Sequence, residues 1–123
     1  MLIRHTDDCP HRRVMDASLL CELLHPEHVS GAGKAGCSIA HAVVPAGEST
    51  LPHRLRTSTE IYYILSGTGR MRIGGEVKEV GPGHIVMIPP LAVQHIENTG
   101  TADLCFLCIV APPWRGEDEE LVW

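Results

Sequence analysis

Two stretches decide the fold: Gly47–Gly67, GESTLPHRLRTSTEIYYILSG, and Gly83–Asn98, GHIVMIPPLAVQHIEN. In the first, Glu60–Leu65 is a short apolar-rich run that stops at Ser66-Gly67-Thr68-Gly69. In the second, Ile85–Ile88 stops at Pro89-Pro90, and Val93–Glu97 resumes before Asn98-Thr99-Gly100. Runs of this length closed by Gly, Pro and Asn read as strands joined by tight turns. The pattern continues outward. Arg70–Ile73 meets Gly74-Gly75, a hairpin dipeptide, and returns as Glu76–Val80. Leu104–Val110 ends at Ala111-Pro112-Pro113, while upstream Ser18–Leu24 ends at His25-Pro26 and Cys37–Val44 at Pro45-Ala46-Gly47. Many short strands at near-regular spacing indicate an all-β sandwich or barrel. Helical character is expected only around Glu27–Val29 and in the tail.

The bulk properties agree. A chain of 123 residues makes one domain and buries roughly two thirds of its unfolded surface without a disulfide or metal. Twelve glycines and nine prolines argue against a helix bundle. The net charge of −5 is concentrated in Glu117-Asp118-Glu119-Glu120, expected to be a solvated acidic tail, and the body is near neutral. With no basic patch and five aromatic residues, nucleic-acid binding is not expected. No apolar run reaches the roughly 18 residues of a membrane helix. The first ten residues carry Arg4, His5, Asp7 and Asp8 where a secretion signal needs apolar residues, so a cytoplasmic location is expected.

Five cysteines show no framework spacing and are expected to be unpaired small hydrophobes in a reducing compartment. Cys105 and Cys108, three apart on a strand, should face opposite ways. Gly31-Ala32-Gly33-Lys34-Ala35-Gly36 spells a GxGxxG pattern. A β-like segment follows it where a dinucleotide site needs a helix, so it reads as a connection.

The intervals within the two opening stretches carry more. Gly47, His53, Leu55, Glu60 and Gly67 are separated by five, one, four and six residues, and Gly83, Pro89, Leu91, Gln94 and Asn98 by five, one, two and three. This resembles the paired motifs of the cupin superfamily, G-x5-H-x-H-x3,4-E-x6-G and G-x5-P-x-G-x2-H-x3-N. Every interval fits. Three side chains depart: Leu55 for the second His, Leu91 for a Gly and Gln94 for the third His. The resemblance implies a small single-domain jelly-roll barrel (a double-stranded β-helix). Residues 37–113 are expected to form that barrel, with residues 1–36 as N-terminal strands packing on it or on a partner and 114–123 as the acidic tail.

Cupins hold a metal at the motif positions, which here implies His53, Glu60 and Gln94. Positions 53 and 55 share the barrel interior by strand parity, and an imidazole, a carboxylate and an amide oxygen converging there suit a first-row divalent ion: Zn, Fe, Mn or Ni. Gln94, Ile96 and Asn98 share one face and Val93, His95 and Glu97 the other, so Gln94 is placed inward. A one-residue bulge after Leu91 would put His95 there instead. His41, mid-strand, is a further alternative ligand. Losing an imidazole at Leu55 weakens the site, and a cupin that has lost its metal, with His53 and Glu60 bonding each other, is the competing reading.

Tyr62 shares parity with Glu60. The two are the candidate catalytic residues, although a buried strand tyrosine more often has its hydroxyl tied off in the core. Arg54 and Arg56 should point out, His84 should serve a turn, and Trp114 and Trp123 should pack the tail on the barrel or across a dimer. The resemblance implies either a metal-dependent enzyme of dioxygenase, isomerase, epimerase or decarboxylase type, or a module that binds a small oxygen-rich organic molecule. The apolar strand Ser18–Leu24 suggests a sheet edge covered by a second copy, hence a homodimer.

Overall fold

The computed structural model describes residues 1–123, and every regular element longer than three residues in it is a strand. In chain order these are β1 Arg12–Arg13, β2 Leu19–Leu24, β3 Ser38–Val44, β4 His53–Leu55, β5 Thr59–Ser66, β6 Gly69–Ile73, β7 Glu76–Val80, β8 Ile85–Ile88, β9 Gln94–Asn98, β10 Leu104–Ala111 and β11 Glu119–Leu121. Short 3-10 turns cover Thr6–Asp8 and Gly116–Asp118. Residues 27–29, expected to be helical, form only a turn and a bend, because His25-Pro26 leaves too few residues before the glycines for a helix to propagate.

Two antiparallel sheets face each other. One has the order β1-β2-β3-β10-β5-β8 and the other β11-β4-β9-β6-β7. The period-2 alternation does the sorting: β10 alternates buried and half-buried from Leu104 to Val110, and β3 does the same from Ser38 to Val44. Cys108 therefore points inward and Cys105 outward. The buried faces meet in one cluster that includes Val44, Tyr62, Ile64, Ile96, Leu104 and Phe106. Tyr62 and Phe106 pack ring on ring, with centroids 4.5 Å apart. The Gly74-Gly75 hairpin joins β6 and β7 as expected. At Gly67 a side chain is excluded twice over: φ is +84°, and a Cβ would lie 2.5 Å from the Asp103 carbonyl oxygen.

Four further features differ from the sequence expectations. Cys9 and Cys21 are joined in a disulfide, with Cα atoms 5.7 Å apart. Chain reversal between β1 and β2 brings them together, and spacing alone carries no sign of that. The start of the β2 edge is paired by the chain itself, Arg12 opposite Leu20 and Arg13 opposite Leu19.

The acidic run is not a solvated tail. Glu119–Leu121 forms β11 against β4, and Asp118 is buried at 2% exposure. The Asp118 carboxylate accepts from Thr57 N at 2.9 Å, Thr57 Oγ1 at 2.7 Å and Ser58 N at 3.2 Å. Burial pushes its pKa up, but these bonds prevail and hold it below the ordinary value. Finally, Trp123 packs on nothing within the chain and is fully exposed, whereas Trp114 is half-buried.

Candidate functional site

β4, β5 and β9 carry the residues singled out by the spacing. His53 and Leu55 both face inward on β4, at 1% and 4% exposure. β9 runs without a bulge opposite β6, so Gln94, Ile96 and Asn98 are buried while His95 and Glu97 lie on the other face. Gln94 stands directly across from His53. His95 faces outward beside Arg72, and burial followed by that positive charge lowers its pKa. His41 lies on the outer face of β3, where it shares a 2.8 Å ring–ring hydrogen bond with His11; burial first and His11 second lower its pKa. Neither histidine reaches the interior, because each occupies the odd position of a strand whose even positions are buried.

Inside the barrel the polar side chains are ordered by one another. Tyr62 Oη donates to Gln94 Oε1 at 2.9 Å, and Gln94 Nε2 donates to Glu60 Oε1 at 2.7 Å. The chain of bonds sets the amide orientation of Gln94 and turns its donor, not its oxygen, toward Glu60. Glu60 does not bond His53. Burial raises the Glu60 pKa to about 7 against the opposing pull of His53 and Gln94, and the charges of Asp16 and Glu119 add to the rise. Tyr62 is pushed up by burial and then by the Glu60 charge, which leaves it a neutral phenol.

His53 looks elsewhere. Its Nδ1–H donates to the Leu51 carbonyl at 2.7 Å, which turns Nε2 toward Asp16, 3.6 Å from Oδ2. Asp16 Oδ1 is held by Ser18 N at 3.0 Å and Ser18 Oγ at 2.7 Å, and Oδ2 is left free to face the ring. Glu119 completes the group. One ligand atom each from Asp16, His53 and Glu119 lies within 4.8 Å of the other two. Burial and the nearby Asp16 carboxylate raise the Glu119 pKa.

Asp16 and Glu119 are site residues that the motif spacing missed. Asp16 lies in the β1–β2 loop, far from either motif. Glu119 belongs to the acidic run; its one sequence signal is its place two residues before apolar Leu121, the same-face neighbour on a strand.

The chemistry of this donor set suits a single first-row ion: one imidazole nitrogen with its other nitrogen tied to a carbonyl, and two carboxylates. A second cluster, Glu22, His25 and His28, does not fit one. His25 Nε2 donates to the Trp114 carbonyl at 2.8 Å and Nδ1 accepts from Glu27 N, so the ring has no lone pair to offer.

The polar group opens on a cavity of about 560 Å³. Its floor is the inner face of the six-stranded sheet, where Ser38, Val110 and Glu60 form one cross-strand row and Ala40 and Cys108 the next. Small side chains on β3 leave the space that Tyr62 and Phe106 fill elsewhere. The segment from Cys9 to Asp16 forms the opposite wall, with Trp114 beside it. Arg54 and Arg56 point away, Arg54 to Glu120 on β11 and Arg56 to the Glu117 carbonyl. His84 Nδ1 accepts from Gly81 N and closes its turn.

Two facing antiparallel sheets with a polar centre in one end of the barrel define a small jelly-roll protein with an interior polar cavity. Residues 40–110 match the cupin domain family, and the chain belongs to it. It is 44% identical over 107 residues to an uncharacterized protein of Methanocaldococcus jannaschii, spanning 87% of this chain and 83% of that one. It is 34% identical over 71 residues to an oxalate-binding protein of Thermotoga maritima, 58% of this chain and 59% of the relative. The crystal structure of a predicted oxalate decarboxylase from Thermotoga maritima superposes with a TM-score of 0.77 at 26% identity, over 89% of this chain and 98% of that one. No helix is long and apolar enough to cross a membrane.

Proposed function

We propose that this cupin holds a divalent metal ion in the barrel and uses it to bind a small oxygen-rich organic molecule. The observation that carries the reading is the aim of His53: Nδ1 is committed to Leu51, and the opposite nitrogen faces Asp16 with no hydrogen bond. An imidazole lone pair and two carboxylates converging in a half-dry site repel one another unless a cation lies between them. His53, Asp16 and Glu119 would grip the ion, with Glu60 as the adjacent anion of the predicted set and Gln94 holding Glu60 in place. When bound, the ion supplies a Lewis acid and open positions for ligand oxygens.

The side chains do the rest. Gln94 fixes one Glu60 oxygen, and Glu60 lines the cavity. Near pH 7 it is poised to give or take a proton at a bound molecule. Whether binding leads to turnover is decided by the ligand's chemistry. The names of two relatives, an oxalate-binding protein and a predicted oxalate decarboxylase, support a ligand with carboxylate oxygens.

The competing reading is a metal-free binding cupin in which His53 packs directly against Asp16, and the 3.6 Å contact supports it. Elemental analysis of untagged protein separates the two. We expect about one Zn, Fe, Mn or Ni per chain in the wild type, and loss of most of it in His53→Ala and Asp16→Asn. Equally little metal in all three overturns the metal reading.

We further propose a homodimer formed through the outer face of the six-stranded sheet. There Ile61 lies opposite Met87 and Ile109, and Tyr63 opposite Ile85 and Leu107, with Ile85 and Met87 among the most exposed apolar residues. A neutral apolar face of this breadth is self-complementary. A cytoplasmic location remains part of the proposal.

A further inference from the structure

We infer that the cavity selects an organic acid bearing an aromatic ring or a comparable apolar body, rather than a two-carbon diacid; this rests on the metal reading above. At about 560 Å³ the cavity lies in the range of roughly 300–1,000 Å³ that encloses drug-sized molecules, far more than two carboxyl groups fill. Its carboxylates are concentrated at one end. Asp16, Glu60 and Glu119 gather where the His53 group lies, Val14, Met15, Leu20 and Trp114 supply apolar wall, and His11, Arg12, Glu22 and His28 line the remainder.

The register gives the length. Glu60 shares its row with Val110 and Ser38, and Leu20 shares its row with Ala42, four residues further along β3. Four residues of strand span about 13 Å, enough for a ring and a two- or three-carbon link to an acid group. The floor between these rows is made of Ala40 and Cys108, whose small side chains leave the volume for the ring, with Glu22 at its β2 edge. A diacid seated on the ion would leave that apolar wall in contact with water. A ring-bearing acid covers it, and the gathered carboxylates would repel its acid group unless the cation is in place.

The test uses the full chain carrying Trp123→Phe, so that Trp114 in the cavity wall is the only tryptophan reporting. Zinc binding is measured first by calorimetry. Phenyllactate, lactate and oxalate are then titrated into the zinc-loaded protein and followed by Trp114 fluorescence. Phenyllactate is expected to bind at least about tenfold more tightly than lactate, the gain that burial of one ring provides. Ala40→Leu, which narrows the floor, is expected to abolish that ratio while zinc binding is retained. Oxalate or lactate binding as tightly as phenyllactate overturns the inference and leaves the metal reading standing. If zinc does not bind, the metal reading has failed, and the neutral pair 3-phenylpropanamide and propanamide is compared in the metal-free protein. A tenfold preference there sustains the apolar selection, and a ratio near one overturns it.

Discussion

Glu119 on β11 stands directly opposite Leu55 on β4. Side chains opposed across an antiparallel pair share a face, so a carboxylate sits beside the one motif position that has lost its imidazole. The C-terminal strand thus places an anionic donor next to the gap in the motif, and Asp16 approaches from the N-terminal loop. A donor set richer in carboxylate favours harder ions than an all-imidazole site would.

Glu119→Gln should therefore lower zinc or manganese affinity by about ten- to a hundredfold, the usual cost of losing a ligand or its close support. Leu55→His should raise zinc affinity by placing a second imidazole in the interior, with some loss of thermal stability because Leu55 is buried. Calorimetric titration of both variants checks the pair. Wild-type affinity in both would mean the ion does not sit between β4 and β11.

Leu91 occupies a position where the motif carries glycine, and its φ is +71°. A left-handed backbone costs an ordinary residue about 1–2 kcal/mol, and the exposed Leu91 side chain returns little through packing. Leu91→Gly should stabilise the protein by about 1 kcal/mol, or about 4 °C in Tm, after the added freedom of the unfolded glycine is subtracted. A lower Tm in thermal denaturation would refute this.

Glu60 makes stability depend on pH in an unusual direction. Its folded pKa, about 7, lies above the ordinary 4.5, so the folded state holds the proton more tightly than the unfolded chain. Its contribution is complete below the unfolded value and is lost as pH rises toward 7. The metal-free protein should lose Tm between about pH 5 and pH 7, and Glu60→Gln should flatten that slope. Parallel curves for the two proteins would show that the slope has another origin.

The outer face gives a fourth expectation. Ile85→Glu with Met87→Glu puts four like charges at the centre of a two-fold interface and should convert a dimer into a monomer at micromolar concentration. Sedimentation velocity reads the change. A wild-type monomer, or an unchanged dimer in the double variant, refutes this interface.

Much of the fold was legible because it rests on local rules. Alternation and turn residues placed Cys37–Val44, Glu60–Leu65, Glu76–Val80, Ile85–Ile88 and Leu104–Val110 within a residue or two of the observed strands. The same parity turned Gln94 inward and His95 outward, and it aimed Cys105 and Cys108 at opposite faces. Short-range periodicity is a property of the backbone, so the chain carries it wherever a strand forms.

What only the tertiary structure decided is contact between segments distant along the chain. Asp16, His53 and Glu119 are separated by 37 and 66 positions, and no period links them. The Cys9–Cys21 bridge, the burial of Asp118 and the swing of His53 toward Asp16 rather than Glu60 likewise depend on which edges the two sheets present to each other. Strand alternation says which side of a sheet a residue faces. Packing of the sheets and their flanking segments decides what it meets there, because that is set by the burial and bonding of the whole molecule at once.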